Sequence, residues 1–253
     1  MKTVLMEEMS FQQIKTAMND GHKTVIIVAG ATEQHGYHLP LGTDSMLGLV
    51  LAKKLAEKLE NALVAPVITL GLSKAHMDFA GSLTCRWTTL MAVIEDYVSA
   101  YYWHGFKNIV FLPSHMGNFQ AIENFVNEAR QNYPSLKFAC CLNFEMMAKL
   151  DKKSLEEDGV HPNIAGAHAG ESETSQMLAY YPHLVDMSLA EEGFIGSYME
   201  MRDKMRDEGI QMLAENGILG DARPANAKRG ENIVRRMVEA MTEVVREELA
   251  KYS

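Results

Sequence analysis

Residues 24–44 read TVIIVAGATEQHGYHLPLGTD. The first six are an unbroken apolar and β-branched run of strand length, the pattern of a strand buried on both faces. The chain then places Glu33, His35, His38 and Asp44 within a short turn-rich stretch. Such groups are costly to take out of water unless something pairs with them. In an extended segment residues two apart share a face, so Glu33 and His35 point together, while Gly36, Pro40 and Gly42 let the chain turn and bring Asp44 back. Carboxylate, imidazole and carboxylate together suit zinc, manganese or iron(II). Surface ion pairs around a turn are the plain alternative.

Outward from this strand, apolar runs alternate with helical patterns. Leu47, Val50, Leu51, Leu55 and Leu59 repeat at helical spacing, with Asn61 as the stop. Residues 63–70 read as a second strand, with Pro66 a caution. A helix over 90–103, capped by Thr88 or Thr89 and stopped by Gly105, leads to a third strand over 108–112. A helix over 119–132 ends before Pro134, and 137–142 form a fourth strand. Residues 150–167 read as a polar loop or lid, 171–180 as a short helix, and 187–223 show no clear pattern. Apolar residues from Ile233 to Leu249 make a strongly amphipathic helix. The alternation predicts one α/β domain over residues 1–253, a three-layer α/β/α sandwich around a mostly parallel sheet.

Three polar segments each follow a strand: GATEQHG, GLSKAHMDFAG and PSHMGN. Ligands of open parallel sheets bind outside the carboxyl ends of the strands, so the three segments belong to one edge. That brings His115 of PSHMGN toward Glu33, His35 and Asp44, and leaves His76 of the second segment in reach of substrate. His38 reads as a side chain orienting a ligand or as an ordinary core histidine. A fourth segment, HAGESETS (168–175), holds one histidine, two carboxylates and hydroxyls beside a turn. Glu171 and Glu173 are two apart, so on a helix one of them faces inward. Amides near Gly170 at the helix start can bind an oxyanion, and His168 and Glu173 are the candidates for proton transfer.

The net charge of −9 argues against nucleic acid or an anionic membrane as partner. No apolar run reaches the ~20 residues of a membrane span, and the N-terminus turns acidic too soon for a signal peptide. The protein therefore reads as soluble and cytoplasmic, acting on a small molecule. Its three cysteines show no metal or redox spacing and read as reduced thiols.

With GATEQHGYHLPLGTD, GLSKAHMDFAGSLT, PSHMGN, HAGESETS and GILGDARPANAKRGE in this order, the sequence resembles the creatininase (creatinine amidohydrolase) family. The resemblance implies a divalent metal centre of one or two ions (Zn, Mn or Fe) and a homo-oligomer, often a hexamer. By that resemblance Glu33, His35, Asp44 and His115 match metal ligands, Asp44 matches a bridging carboxylate, Glu173 matches a glutamate at the metal, and His168 a histidine beside substrate. Gly117 departs from creatininase itself, which carries a glutamate ligand there; Ala75, Ala80 and Met116 also depart from common family positions. The expected activity is hydrolysis of a carbon–nitrogen bond in a small cyclic amide by metal-activated water, with creatinine not favoured. Hydrolysis of a formamide or of a ring ketone derived from a sugar or inositol is the first alternative. A non-catalytic, metal-stabilised scaffold is the second.

Overall fold

The computed structural model describes residues 2–252, apart from the side chains at 151, 154, 155, 199 and 202. Among the described residues four parallel strands form the sheet: β1 (Thr24–Ala29), β2 (Ala62–Val64), β3 (Asn108–Pro113) and β4 (Lys137–Cys140), in spatial order β2-β1-β3-β4. Alternation along β1 builds two cores. Ile26 and Val28 pack toward α2 (Thr43–Leu59) and the long α9 (Ala227–Ala250). Val25 and Ile27 pack toward α1 (Phe11–Asn19), α3 (Trp87–His104) and α4 (Phe119–Asn132). Side chains that alternate about the pleat thus bury both faces, and the three-layer α/β/α sandwich follows.

The strand order positions the site. From β1 the chain leaves through α2 on one face, and from its neighbour β3 through α4 on the other. The two connections part at the carboxyl ends of β1 and β3, which opens a crevice there. Asn118 ties that edge together. It holds no helix cap hydrogen bond, contrary to its place before α4; its Nδ2 donates to the carbonyls of Ala29 and Gly30 at 3.2 and 3.0 Å, and its Oδ1 accepts from Leu72 N–H at 3.1 Å.

Several elements differ from the sequence expectation. β2 stops at Val64 because Pro66 offers no amide to a ladder, although Ile68 still pairs with Val28 and Gly30 through main-chain bonds. α2 begins at Thr43, so Asp44 sits in its first turn, and it ends at a left-handed Glu60. α3 begins at Trp87 after Arg86, with Thr88 and Thr89 inside its first turn rather than capping it. Residues 150–167 are no loop: α5 (Phe144–Asp158) and the short α6 (Pro162–Ala165) occupy most of them. α7 (Glu171–Tyr180) matches its expected bounds, and α8 (Tyr198–Glu208) lies in the unpatterned stretch. Among the described residues no helix is long and apolar enough to cross a membrane.

Candidate metal centre and active site

Four polar segments meet at the crevice. Glu33 and His35 follow β1, Asp44 lies in the first turn of α2, His76 ends a 3-10 turn over Lys74–His76, and His115 follows β3. His168 and Glu173 arrive from the start of α7. Glu33, His35, Asp44, His76, His115 and His168 are all buried. Their ligand atoms form three overlapping triads, each within 4.8 Å: Glu33–His35–Asp44, Glu33–His76–His168 and His35–His168–Glu173. His115 Nδ1 lies 3.3 Å from Glu33 Oε1 and 3.3 Å from Asp44 Oδ2.

The main chain decides which nitrogen three of the imidazoles offer. His35 Nδ1 lies 3.0 Å from its partner, the Glu33 carbonyl, and so carries the proton; Nε2 is left bare, 3.5 Å from Asp44 Oδ1 and 3.8 Å from Glu173 Oε2. His115 Nε2 donates to the Leu72 carbonyl at 3.3 Å, which leaves Nδ1 bare against the two carboxylates. His168 Nε2 donates to the Gln34 carbonyl at 2.6 Å, leaving Nδ1 bare 3.6 Å from Glu33 Oε1. Lone pairs facing carboxylates repel unless positive charge lies between them. Glu33 Oε2, His35 Nε2 and Asp44 Oδ2 are buried and have no hydrogen-bond partner, which is the signature expected of a cation site. The donor set of imidazoles and carboxylates fits a divalent transition metal.

Without a cation, a second proton meets the same demand for positive charge at His35 Nε2 and His115 Nδ1. Burial works against charge on His35, yet Asp44 and Glu173 hold its pKa up at about 9; His115 is raised well above its ordinary value by Glu33 and Asp44 against the same burial. Burial pushes Glu33 up, but His115 and His76 hold it down at about 2, and Asp44 is lowered by His35 and His115. Glu173 goes the other way, pushed up to about 7 by burial and by Asp44 against the pull of His35. Burial also keeps His76 and His38 down near about 4 and His168 well below its usual range. Carboxylates with opposed shifts in one cleft are the pattern of a functional site.

α7 is locked from beneath. Ala169 takes a left-handed φ of 52° that aims its N–H at Glu173 Oε2, 2.5 Å away. Glu171 turns inward to Arg229 Nε at 2.6 Å, leaving Glu173 to face the cluster, as the helical spacing requires. His38 supports the helix too, through Thr174 Oγ1 at 2.8 Å, while the threonine bonds back to the Ala169 carbonyl. His38 therefore stands behind the cluster, joined to the helix that carries Glu173. Gly170, expected as a substrate contact, is not among the residues that line the cavity. It is buried where a Cβ would meet the Ala165 carbonyl at 2.6 Å, so its smallness serves packing.

A cavity of about 1020 Å³ opens over the cluster. Glu33, Asp44, His76, His115, His168 and Glu173 form its polar end, and Phe119, Phe144, Met147, Leu150, Ile233 and Met237 an apolar wall. Trp87 lines it as well, while Trp103 stands 85% exposed elsewhere, so neither packs in the core. At Gly117 a Cβ would fall 2.4 Å from His115 Nε2 and 2.7 Å from the Leu72 carbonyl, leaving no room for a ligand from that position. Gln34, which carries no charge and drew no attention in sequence, is buried among His76, His168 and Gly217. Its place between Glu33 and His35 was the available signal.

The comparisons fall on the same ground. The family model described as "Creatininase: Creatinine amidohydrolase" matches residues 7–245. A mycofactocin precursor peptide peptidase of Mycolicibacterium smegmatis is 32% identical over 85% of this chain and 81% of its own. A creatinine amidohydrolase of Pseudomonas putida is 24% identical over 98% of both chains. A solved structure of "Creatininase Mn" superposes with a TM-score of 0.82 at 23% identity, covering 98% of this chain and 99% of that one, and so shares the fold. With the family model spanning nearly its whole length, this chain belongs to the creatininase family.

Proposed function

We propose that the protein is a metal-dependent amidohydrolase that splits a carbon–nitrogen bond with water. The carrying observation is that His35 Nε2 and His115 Nδ1 are left bare by their main-chain partners and face the buried carboxylates of Glu33 and Asp44. Those four residues, joined by Glu173, would hold one or two divalent cations. A cation there would supply an acidified water and a polarised amide carbonyl. Glu173 lines the cavity, with its carboxylate braced by the Ala169 amide. It and His168 would take a proton from water and return it to the departing amine.

The cavity bears on the substrate. A planar lactam would fill only a small part of about 1020 Å³, and the apolar wall from α4, α5 and α9 would go unused. This supports an amide with a bulky apolar group, a peptide amide among them, over the small cyclic amide that the motifs alone suggest. The peptidase relative supports the same reading. The test is metal analysis followed by a substrate screen of apolar short peptides, cyclic amides, formamides and ring ketones. Turnover of the peptides is the expected result; turnover confined to small rings would return the cyclic reading. Glu173→Gln is expected to lower turnover of the accepted substrate about 10²–10⁴-fold while metal stays on the other four ligands. Unchanged turnover would point to another proton carrier.

A further inference from the structure

His76 is the histidine of the cluster whose outer nitrogen meets a side chain rather than a main-chain carbonyl: its Nδ1 lies 3.1 Å from Gln34 Nε2. The orientation of that carboxamide is fixed twice over. Gln34 Oε1 accepts from Gly36 N–H at 2.9 Å, and Nε2 donates to the Gly217 carbonyl at 3.1 Å. Turning the amide over would set donor against donor and acceptor against acceptor. Two left-handed glycines make the clamp, Gly36 at φ 66° and Gly217 at φ 70°, and a Cβ on Gly217 would fall 2.3 Å from Gln34 Oε1. The amide proton left over points at His76 Nδ1, which must be bare. The proton of neutral His76 then sits on Nε2, which faces the cluster 3.4 Å from Glu33 Oε1, too far for a well-formed hydrogen bond. His168 is set by the same residue in the opposite sense. Its Nε2–H donates to the Gln34 main-chain carbonyl at 2.6 Å, so it turns a bare Nδ1 to the cluster; the 3.0 Å approach of its Nε2 to Gln34 Nε2 is a contact of two donors.

We infer that Gln34 is a positioning residue: its side-chain amide makes His76 an N–H donor toward the reaction centre, and its main-chain carbonyl makes His168 an acceptor there. The N–H of His76 is thereby free for an amide oxygen of the substrate, where a fixed donor acts on developing negative charge. His76 is correspondingly not a metal ligand through Nε2, although that nitrogen lies in a ligand-like triad with Glu33 and His168. The use made of the donor rests on the proposed hydrolase reading; the two tautomers do not.

Long-range proton–nitrogen correlation spectra of protein labelled with nitrogen-15 histidine read the tautomers directly, in chelator-treated and zinc-supplemented samples. His76→Asn and His168→Asn identify the two sets of signals. In the wild type both rings are expected to carry the proton on Nε2, and His76 keeps it when zinc is added. Gln34→Met removes the donor, and Gly217→Ala displaces it. Each is expected to release His76 into a mixture of tautomers while His168 stays as it was, a selectivity that general loosening of the site would not give. A wild-type His76 with its proton on Nδ1, a bare Nε2 after zinc addition, or a His76 unmoved in Gln34→Met would overturn the inference. Correct tautomers in a protein that binds no zinc would sink the proposed function and leave this assignment standing.

Discussion

A histidine serves as a ligand only through a bare nitrogen, and in this cluster main-chain carbonyls see to that. His35 spends Nδ1 on Glu33, and His115 spends Nε2 on Leu72. Removing His35 leaves Asp44 and Glu33 with one cation-sharing partner fewer. His35→Ala is expected to lower metal affinity at least 10–100-fold, the loss typical of mere supporting residues, as measured by metal content after dialysis; unchanged content would contradict the assignment. Behind the ligands, Thr174→Val strands the buried His38 Nε2. That should cost about 1–3 kcal/mol, read as a lower urea midpoint. At this scale the acids and histidines were legible because charge beside a buried strand calls for a partner. Gln34 was not, since a neutral amide advertises nothing until its neighbours are placed. Gly170 is ambiguous for a related reason: a glycine at a helix start serves anion binding and close packing alike, and the Ala165 carbonyl against it speaks only to the packing.

Elements meet the site through α7, which α9 crosses closely enough that a Cβ on Gly230 would lie 1.9 Å from the Ser175 carbonyl. Gly230→Ala must push the helices apart and is expected to cost about 1–3 kcal/mol or more, with Glu173 displaced as a consequence. Beside this contact Asp158 of α5 binds both Arg229, at 2.5 Å, and Arg236, two arginines that are buried on α9. Arg236, with Arg229 beside it, holds the Asp158 carboxyl below its ordinary value against the effect of burial. A carboxyl lowered by folding contributes stability above its unfolded value of about 3.9, and that contribution is lost as pH falls through the lower folded value. Wild type should therefore lose urea stability below about pH 4 more steeply than Asp158→Asn. The variant itself should be weaker at neutral pH by about 1–3 kcal/mol, because Arg229 keeps Glu171 and Arg236 keeps Glu157 while each loses a charged hydrogen bond to Asp158. The same network explains why α5 was hard to read. Its outer face carries Lys152–Glu156 and Lys153–Glu157 pairs at helical spacing, a signal for a helix. Its inner residues, Phe144, Met147 and Leu150, line the cavity and pack only partly buried against the core cluster that holds Met146. Strands β1 and β3 and helices α4 and α7 were legible because their patterns end at clear stops, whereas β2 was cut short by Pro66.

For the whole molecule, the parallel sheet and the parting of connections at β1 and β3 put every chemical motif at one edge. This much followed from strand–helix alternation. The size of the cavity did not, because its apolar wall is assembled from three helices distant in sequence. The exposed surface carries Trp103 at 85% and Phe11 at 82%. On the family resemblance we expect a homo-oligomer; sedimentation should then show a species heavier than the 28.3 kDa chain, and a lone monomer would contradict it. The proposed chemistry depends on Glu33, His35, Asp44 and His115 taking up a divalent cation together. Anomalous diffraction from manganese-equilibrated crystals tests it most directly. A peak is expected within about 2.0–2.3 Å of their imidazole and carboxylate atoms; a cluster without a peak, or manganese bound only elsewhere, would rule the site out.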